Sequence, residues 1–240
     1  MKTGIMLSEL AIHNIAILLK NAGMDFFIVD CEHGGFDYKD VSQIIMVAKL
    51  CRIKAFIRLP DNTRRDIIRF LDMGADGLLL PMTNYANDIA QVVSYAKYAP
   101  LGKRGISTMR AHTLYDPADL KEYMACANNR IEIFAQIETQ QGLENAQSII
   151  DCEGVSGVFL GPNDLSCDLN CEADSKQILS AIKLLTDTAA ACKKQSGIIT
   201  SNEFLLKKAN TTGMSYFCVG SELSLLQQGA RNTKKIIDNL

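Results

Sequence analysis

The chain repeats one beat along its length: a short run of Ile, Val, Phe or Leu, then a polar loop, then a helical apolar pattern. The runs are "GIML" (4–7), "FFIVD" (26–30), "AFIRL" (55–59), "GLLLPM" (77–82), "IEIFAQIE" (131–138), "GVFLG" (157–161), "GIITS" (197–201) and "YFCVG" (216–220). Runs without polar alternation suit strands covered on both faces, and stretches such as "DVSQIIMVAKL" and "ANDIAQVVSYAKY" suit the helices that cross between them. Glycine stands just before three of the runs, in "NAGMDFF", "DMGADGLLL" and "TTGMSYF", where a left-handed cap would end the preceding helix. Eight β-then-α units predict a TIM (β/α)8 barrel in the α/β class. The alternative is an open doubly wound sheet, because the first run is short. No Ser/Pro/Gly linker or charge block divides the sequence, so one domain is expected over residues 1–240.

On this scheme the polar residues at the C-terminal ends of the strands mark the active face. The second run ends in Asp30, Glu32 and His33, the third in Arg58, the fifth in Gln136 and Glu138, and the sixth runs into Gly161, Pro162, Asn163 and Asp164. Glu138 and Asp164 are hard oxygen donors on neighbouring strands, which suits a divalent cation such as Mg²⁺ or Mn²⁺. Taken singly, each could instead begin a helix as a cap. Gln136 shares Glu138's side of the strand by the two-residue period. Arg58 could clamp a substrate carboxylate with its guanidinium fork, or serve as a buried ion-pair partner. His33 is a candidate base, with Asp30 as a partner to fix its tautomer, or simply a hydrogen-bonded loop residue.

Asp72 stands near the end of the helix before the fourth strand, where the dipole disfavours a carboxylate. It could form a structural salt bridge or meet basic groups of another subunit. Cys31 beside His33 is a weaker candidate nucleophile, because no oxyanion-hole motif accompanies it. No lysine falls at a strand's interior or C-terminal end, as a Schiff base would require: Lys54 is expected before its strand, and Lys193 and Lys194 on the approach to the seventh.

Composition changes this picture little. The 240 residues are 48% hydrophobic and 22% charged, with a formal net charge of -2 and both signs interspersed, so nucleic acid is not an expected partner. The longest apolar runs are short, and "MKTGIMLSELAIHN" meets polar residues before a signal-peptide core could form. A cytoplasmic protein without a membrane segment is expected. Eight cysteines lack both CxxC pairs and zinc spacing, which predicts reduced thiols.

Six motifs occur in order: "DFFIVDCEHG", "FIRLP", "LDMGADGLLLPM", "YAPLGKRG", "AQIETQQGLEN" and "GVFLGPNDLS". In these the chain resembles the HpcH/HpaI aldolases, class II pyruvate aldolases that include 4-hydroxy-2-oxoheptanedioate and 5-keto-4-deoxyglucarate aldolases. The resemblance implies a TIM barrel, in hexamers or trimers of dimers that exchange a C-terminal helix. It implies that Glu138 and Asp164 hold the metal (Mg²⁺, with Mn²⁺ or Co²⁺ as alternatives) and that His33 with Asp30 moves protons. Arg58 would contact the pyruvyl end, Gln136, Gly161 and Pro162 would line the pocket, and Asp72 would match an aspartate at the subunit junction. The implied reaction cleaves a 4-hydroxy-2-oxo acid to pyruvate and an aldehyde through a metal-stabilised enolate. A lyase of the citrate lyase or malyl-CoA lyase type and a non-catalytic carboxylate-binding barrel are the alternatives. The chain departs from the pattern at "CDLNCEADSKQ" and at Ala99, and "STMRAHTLYD" has no assignment.

Overall fold

Each apolar run forms a strand in the computed structural model, which describes residues 1–116 and 119–239. The strands are β1 (Lys2–Leu7), β2 (Phe26–Asp30), β3 (Lys54–Arg58), β4 (Gly77–Leu80), β5 (Glu132–Ile137), β6 (Gly157–Leu160), β7 (Gln195–Ile199) and β8 (Tyr216–Ser221). They pair in parallel in sequence order, and β8 returns to β1, closing the barrel. The open doubly wound alternative is thereby excluded. Lys54 opens β3 rather than preceding it, but it lies at the strand's N-terminal end, away from the active face.

Between the strands run α1 (Ile15–Asn21), α2 (Tyr38–Cys51), α3 (Arg64–Met73), α4 (Ala86–Ala96) and α5 (Leu120–Arg130). They continue with α6 (Gln140–Glu144), α7 (Ala146–Asp151), α8 (Pro162–Asp168), α9 (Lys176–Ala191), α10 (Glu203–Thr212) and α11 (Glu222–Asp238). Their starts are chemically marked. Asp37 accepts the N–H groups of Lys39 and Asp40 to open α2, Thr63 caps α3 and Asn202 caps α10. Gly74 and Gly213 close α3 and α10 with φ of 105°, a left-handed conformation that costs glycine nothing.

Inward and outward positions alternate along each strand. Phe26, Ile28, Phe56, Leu79, Phe134, Phe159 and Tyr216 fill the barrel interior, while a larger apolar layer packs between sheet and helices. Rings from five strands meet there, with Phe134 and Phe159 5.1 Å apart, Phe26 and Phe56 5.5 Å apart and Tyr216 5.4 Å from both Phe26 and Phe134. Below them Tyr216 donates to Glu132 (2.8 Å), Lys2 donates to the Tyr216 hydroxyl (2.9 Å), and Lys54 pairs with Glu132. Aromatic packing and this ionic floor fill the lower barrel, so the next inward residues, at the C-terminal ends, surround the space that remains.

α11 is different from the other helices. Glu222 is buried at its start, but Leu223 to Asn239 are exposed, including Leu225, Leu226, Ile236 and Ile237. Among the described residues no helix is long and apolar enough to cross a membrane.

Candidate active site

Strand register places the polar residues. Asp30 stands opposite Arg58 across β2 and β3, and Gln136 stands opposite Phe159 across β5 and β6. Two steps beyond Gln136, Glu138 comes beside Gly161, whose N–H donates to the Ile137 carbonyl (3.0 Å). Side chains from seven of the strand ends and the loops after them enclose a cavity of about 340 Å³, with Asp30, Arg58, Gln136, Gly161 and Asp164 in its lining. Glu138 lies just beneath that lining and is 3% exposed.

Asp30 is an orienting group for Arg58. Its two oxygens accept from Arg58 Nε (2.9 Å) and Nη2 (2.5 Å), and Oδ1 also accepts the backbone N–H groups of Glu32 (3.0 Å) and His33 (3.2 Å). Burial alone would raise the Asp30 carboxyl, but the Arg58 hydrogen bonds and charge, aided by these amides, hold it below the ordinary range. The expected pairing of Asp30 with the His33 imidazole is not what the structure shows. His33 projects outward, its side chain 75% exposed, with Nε2 3.7 Å from Glu32. The tight turn after β2 explains the difference, because it spends Asp30 on the His33 amide and turns the ring toward Glu32.

Glu32 gains a role that sequence reasoning left open. It lies 3.3 Å from Arg58 Nη1, so Arg58 bridges two carboxylates. Burial lifts the Glu32 carboxyl above its ordinary range, against the pull of Arg58 and His33.

Glu138 Oε1 accepts the Met82 N–H (2.6 Å), and Oε2 accepts from Gln136 Nε2 (2.6 Å). Met82 holds φ of 47°, a left-handed conformation unusual for a side chain of its size. Burial pushes the Glu138 carboxyl up to about 7; the Met82 amide and Arg58 oppose this, while Asp164 and Glu32 add to it. Gly161 is required by the same crowding, since a Cβ there would lie 2.7 Å from Glu138 Oε2 and 3.1 Å from Gln136 Nε2.

These residues fit a hard divalent cation. A desolvated carboxylate stands near two like charges, and Gln136 Oε1 is buried without a hydrogen-bond partner. Among the described residues no group of three or more His, Cys, Asp and Glu forms a ligand cluster. Two carboxylates suit a Mg²⁺-type ion, whose remaining positions water and substrate oxygens complete.

Asp72 and Pro162 do not line the cavity. Pro162 is buried at the start of α8. Asp72, at the end of α3, accepts from Arg104 Nη2 (2.7 Å) and lies 3.8 Å from His112, so its partners are in its own chain. His112 belongs to "STMRAHTLYD", which folds into a 3-10 turn (Ala111–Thr113) with the buried ring bonded to Tyr123 and to the Ser107 carbonyl. Cys31 is no thiolate, because burial pushes its thiol up to about 12.

Sequence reasoning missed one arc of the wall: Ser8, Thr200, Ser201, Ser221 and Ser224, with Met6 and Ile199. The available signal was a hydroxyl residue at or just past the ends of β1, β7 and β8.

Three comparisons place this geometry among known proteins. The family model described as HpcH/HpaI aldolase/citrate lyase matches residues 5–226. The 4-hydroxy-2-oxo-heptane-1,7-dioate aldolase of Salmonella typhimurium (strain LT2) is 31% identical over 217 residues, which cover 90% of this chain and 82% of that one. The crystal structure of an HpcH/HpaI aldolase from Desulfitobacterium hafniense DCB-2 superposes with a TM-score of 0.94 at 28% identity, covering 100% of this chain and 93% of that one. Protein CitE from Mycobacterium tuberculosis, solved in complex with magnesium and pyruvate, shares the fold alone, at TM-score 0.57 and 14% identity over 91% of this chain and 84% of that one.

Proposed function

The chain belongs to the HpcH/HpaI aldolase/citrate lyase family, and from that premise we propose that it is a divalent-metal-dependent aldolase cleaving a 4-hydroxy-2-oxo acid to pyruvate and an aldehyde. The observation that carries this reading is the buried Glu138 carboxylate, set among like charges below a cavity lined by Asp164 and Arg58.

A divalent cation held by Glu138 and Asp164 supplies, when bound, a fixed positive charge for the substrate's 2-oxo group. Arg58 takes the pyruvyl carboxylate. Its guanidinium has five N–H donors, of which Asp30 takes two, and Glu32 is an ion-pair partner 3.3 Å from Nη1, so donors on the Nη groups remain for the substrate. Asp30 and Glu32 also fix the plane of the fork before substrate arrives. Gln136 and the backbone at Gly161 shape the floor, and Pro162 behind them starts α8 and so sets the position of Asp164.

His33, whose ring faces outward on the rim beside Glu32, takes the proton of the C4 hydroxyl through an intervening water. The C3–C4 bond breaks, its electron pair stays on C3, C4 becomes the aldehyde carbon, and C3 takes up a proton to complete pyruvate. Asp72 holds Arg104 and the segment around His112 behind α3 in this scheme, where the subunit junction would also lie.

A screen of pyruvate release over 4-hydroxy-2-oxo acids, with and without chelator, tests the whole reading. Chelation is expected to remove activity and added Mg²⁺, Mn²⁺ or Co²⁺ to restore it. Full activity after exhaustive chelation would refute the metal assignment.

The exposed apolar face of α11, together with Leu18 of α1, supports a homo-oligomer. Sedimentation is expected to give a mass above the 26.4 kDa chain; a monomer at micromolar concentration would sink this. The eight free thiols support a reducing, cytoplasmic location.

A further inference from the structure

The cavity wall is chemically split. Its charged residues come from β2, β3 and the start of α8, whereas the wall from β7 through β8 to β1 carries no charged side chain among the described residues. That arc presents Thr200, Ser201, Ser221 and Ser8, with Asn163 at its border and Met6 and Ile199 between them.

The hydroxyls there have donors to spare. Among the described residues the side chains of Ser8, Asn163 and Ser201 make no hydrogen bond within the chain. Thr200 and Ser221 each accept one backbone N–H, from Asn202 (3.1 Å) and Ser224 (3.4 Å), which leaves their hydroxyl protons free. The arc is also fixed in place. Glu222 Oε1 accepts three successive N–H groups, from Ser8 (2.8 Å), Glu9 (2.7 Å) and Leu10 (3.1 Å), tying the loop after β1 to the start of α11.

Arg58 is the one cation in the lining among the described residues, and the pyruvyl carboxylate requires it. A second substrate carboxylate would meet hydroxyls and no positive charge, with Asp164 and the Glu222 carboxylate nearby. Such a charge would lose its water without gaining a partner. A chain of hydroxylated carbons would instead find donors for its oxygens and Met6 and Ile199 for its C–H faces.

Resting on the aldolase reading, we propose that this arc selects an uncharged, polyhydroxylated aldehyde fragment, so that the substrate is a sugar-derived 4-hydroxy-2-oxo acid with a single carboxylate. Ser8 and Ser201 are the specificity-determining side chains, because their hydroxyls are unengaged.

The test compares two 4-hydroxy-2-oxo acids of equal length and equal hydroxylation, one ending in a hydroxymethyl group and one in a carboxylate. Exchange of pyruvate methyl protons with D2O is followed in parallel on the same metal-loaded protein. The hydroxymethyl compound is expected to have the higher kcat/KM by at least about tenfold, and Ser201→Arg to move the ratio toward the diacid by about the same factor. Equal rates, a preference for the diacid, or a ratio unmoved by Ser201→Arg would overturn the proposal. Proton exchange without cleavage of either compound would overturn it too while sparing the aldolase reading. Absence of both exchange and cleavage would mark the failure of the aldolase reading itself.

Discussion

Glu138→Gln is expected to lower pyruvate release by about 10³-fold while leaving the barrel folded, since loss of this ligand weakens the cation's hold and charge stabilisation in a dry site is worth about that much. The substitution is close to isosteric. Its amide oxygen can still accept the Met82 N–H, and its NH₂ can face Gln136 if that amide turns over, because Gln136 Oε1 has no other partner. What disappears is the charge. A cation at one hundred times its Kd stabilises the wild-type fold by about 2.7 kcal/mol, which is a rise of roughly 5–10 °C in Tm for a domain of this size. Glu138→Gln should abolish that rise. Retention of a metal-dependent rise in the variant would remove Glu138 from the ligand set.

The same carboxyl sets a pH dependence. Because burial has raised it to about 7, protons and cations compete for it across the neutral range. Apparent metal affinity is expected to fall about tenfold per pH unit below 7 and to level off above it. Without metal the sign reverses. A raised carboxyl contributes most stability below its unfolded value of 4.5, and that contribution is lost as pH rises through 7. The stabilising effect of added metal should therefore be larger at pH 8 than at pH 6.

The barrel was legible because its cause is local and repeated. Eight apolar runs, each followed by a capped amphipathic segment, leave few ways to bury both faces of every strand. Register was legible only where the period of two could be counted, as with Gln136 and Glu138 on one side of β5. The partnership of Asp30 was not. Its choice of Arg58 depends on an inter-strand register that sequence spacing does not encode, while the nearer His33 looks equally available along the chain. Asp72 shows the same limit, because Arg104 reaches it from 32 residues away across an irregular loop. The hydroxyl arc was overlooked for another reason: serine and threonine after a strand are ordinary cap residues, and only closure of the barrel shows that some of them face the cavity.

Arg58→Ala is expected to act on binding and on stability together, and the two effects separate by pH. Removing the guanidinium leaves Asp30, 3% exposed, with only two backbone N–H groups for its charge. Breaking one side of such a buried pair costs about 3–5 kcal/mol. Asp30 has its carboxyl lowered in the folded protein, so the stability it supplies is present above the ordinary carboxylate range and lost as pH falls through the folded value. In urea titrations the gap between wild type and Arg58→Ala should thus be full at pH 7, begin to narrow below about pH 4, where the unfolded carboxyl takes its proton, and close as pH falls through the lower folded value. A gap that does not change with pH would mean that packing rather than charge had been lost. Arg58→Lys separates the remaining roles. It restores one positive charge near Asp30 but cannot hold Asp30, Glu32 and a substrate carboxylate in one plane. Stability should recover by more than half, whereas KM for the 2-oxo acid should stay raised by about tenfold or more. If the lysine variant bound substrate as well as wild type, the fork would not be the carboxylate clamp, and Arg58 would be a structural partner of Asp30 alone.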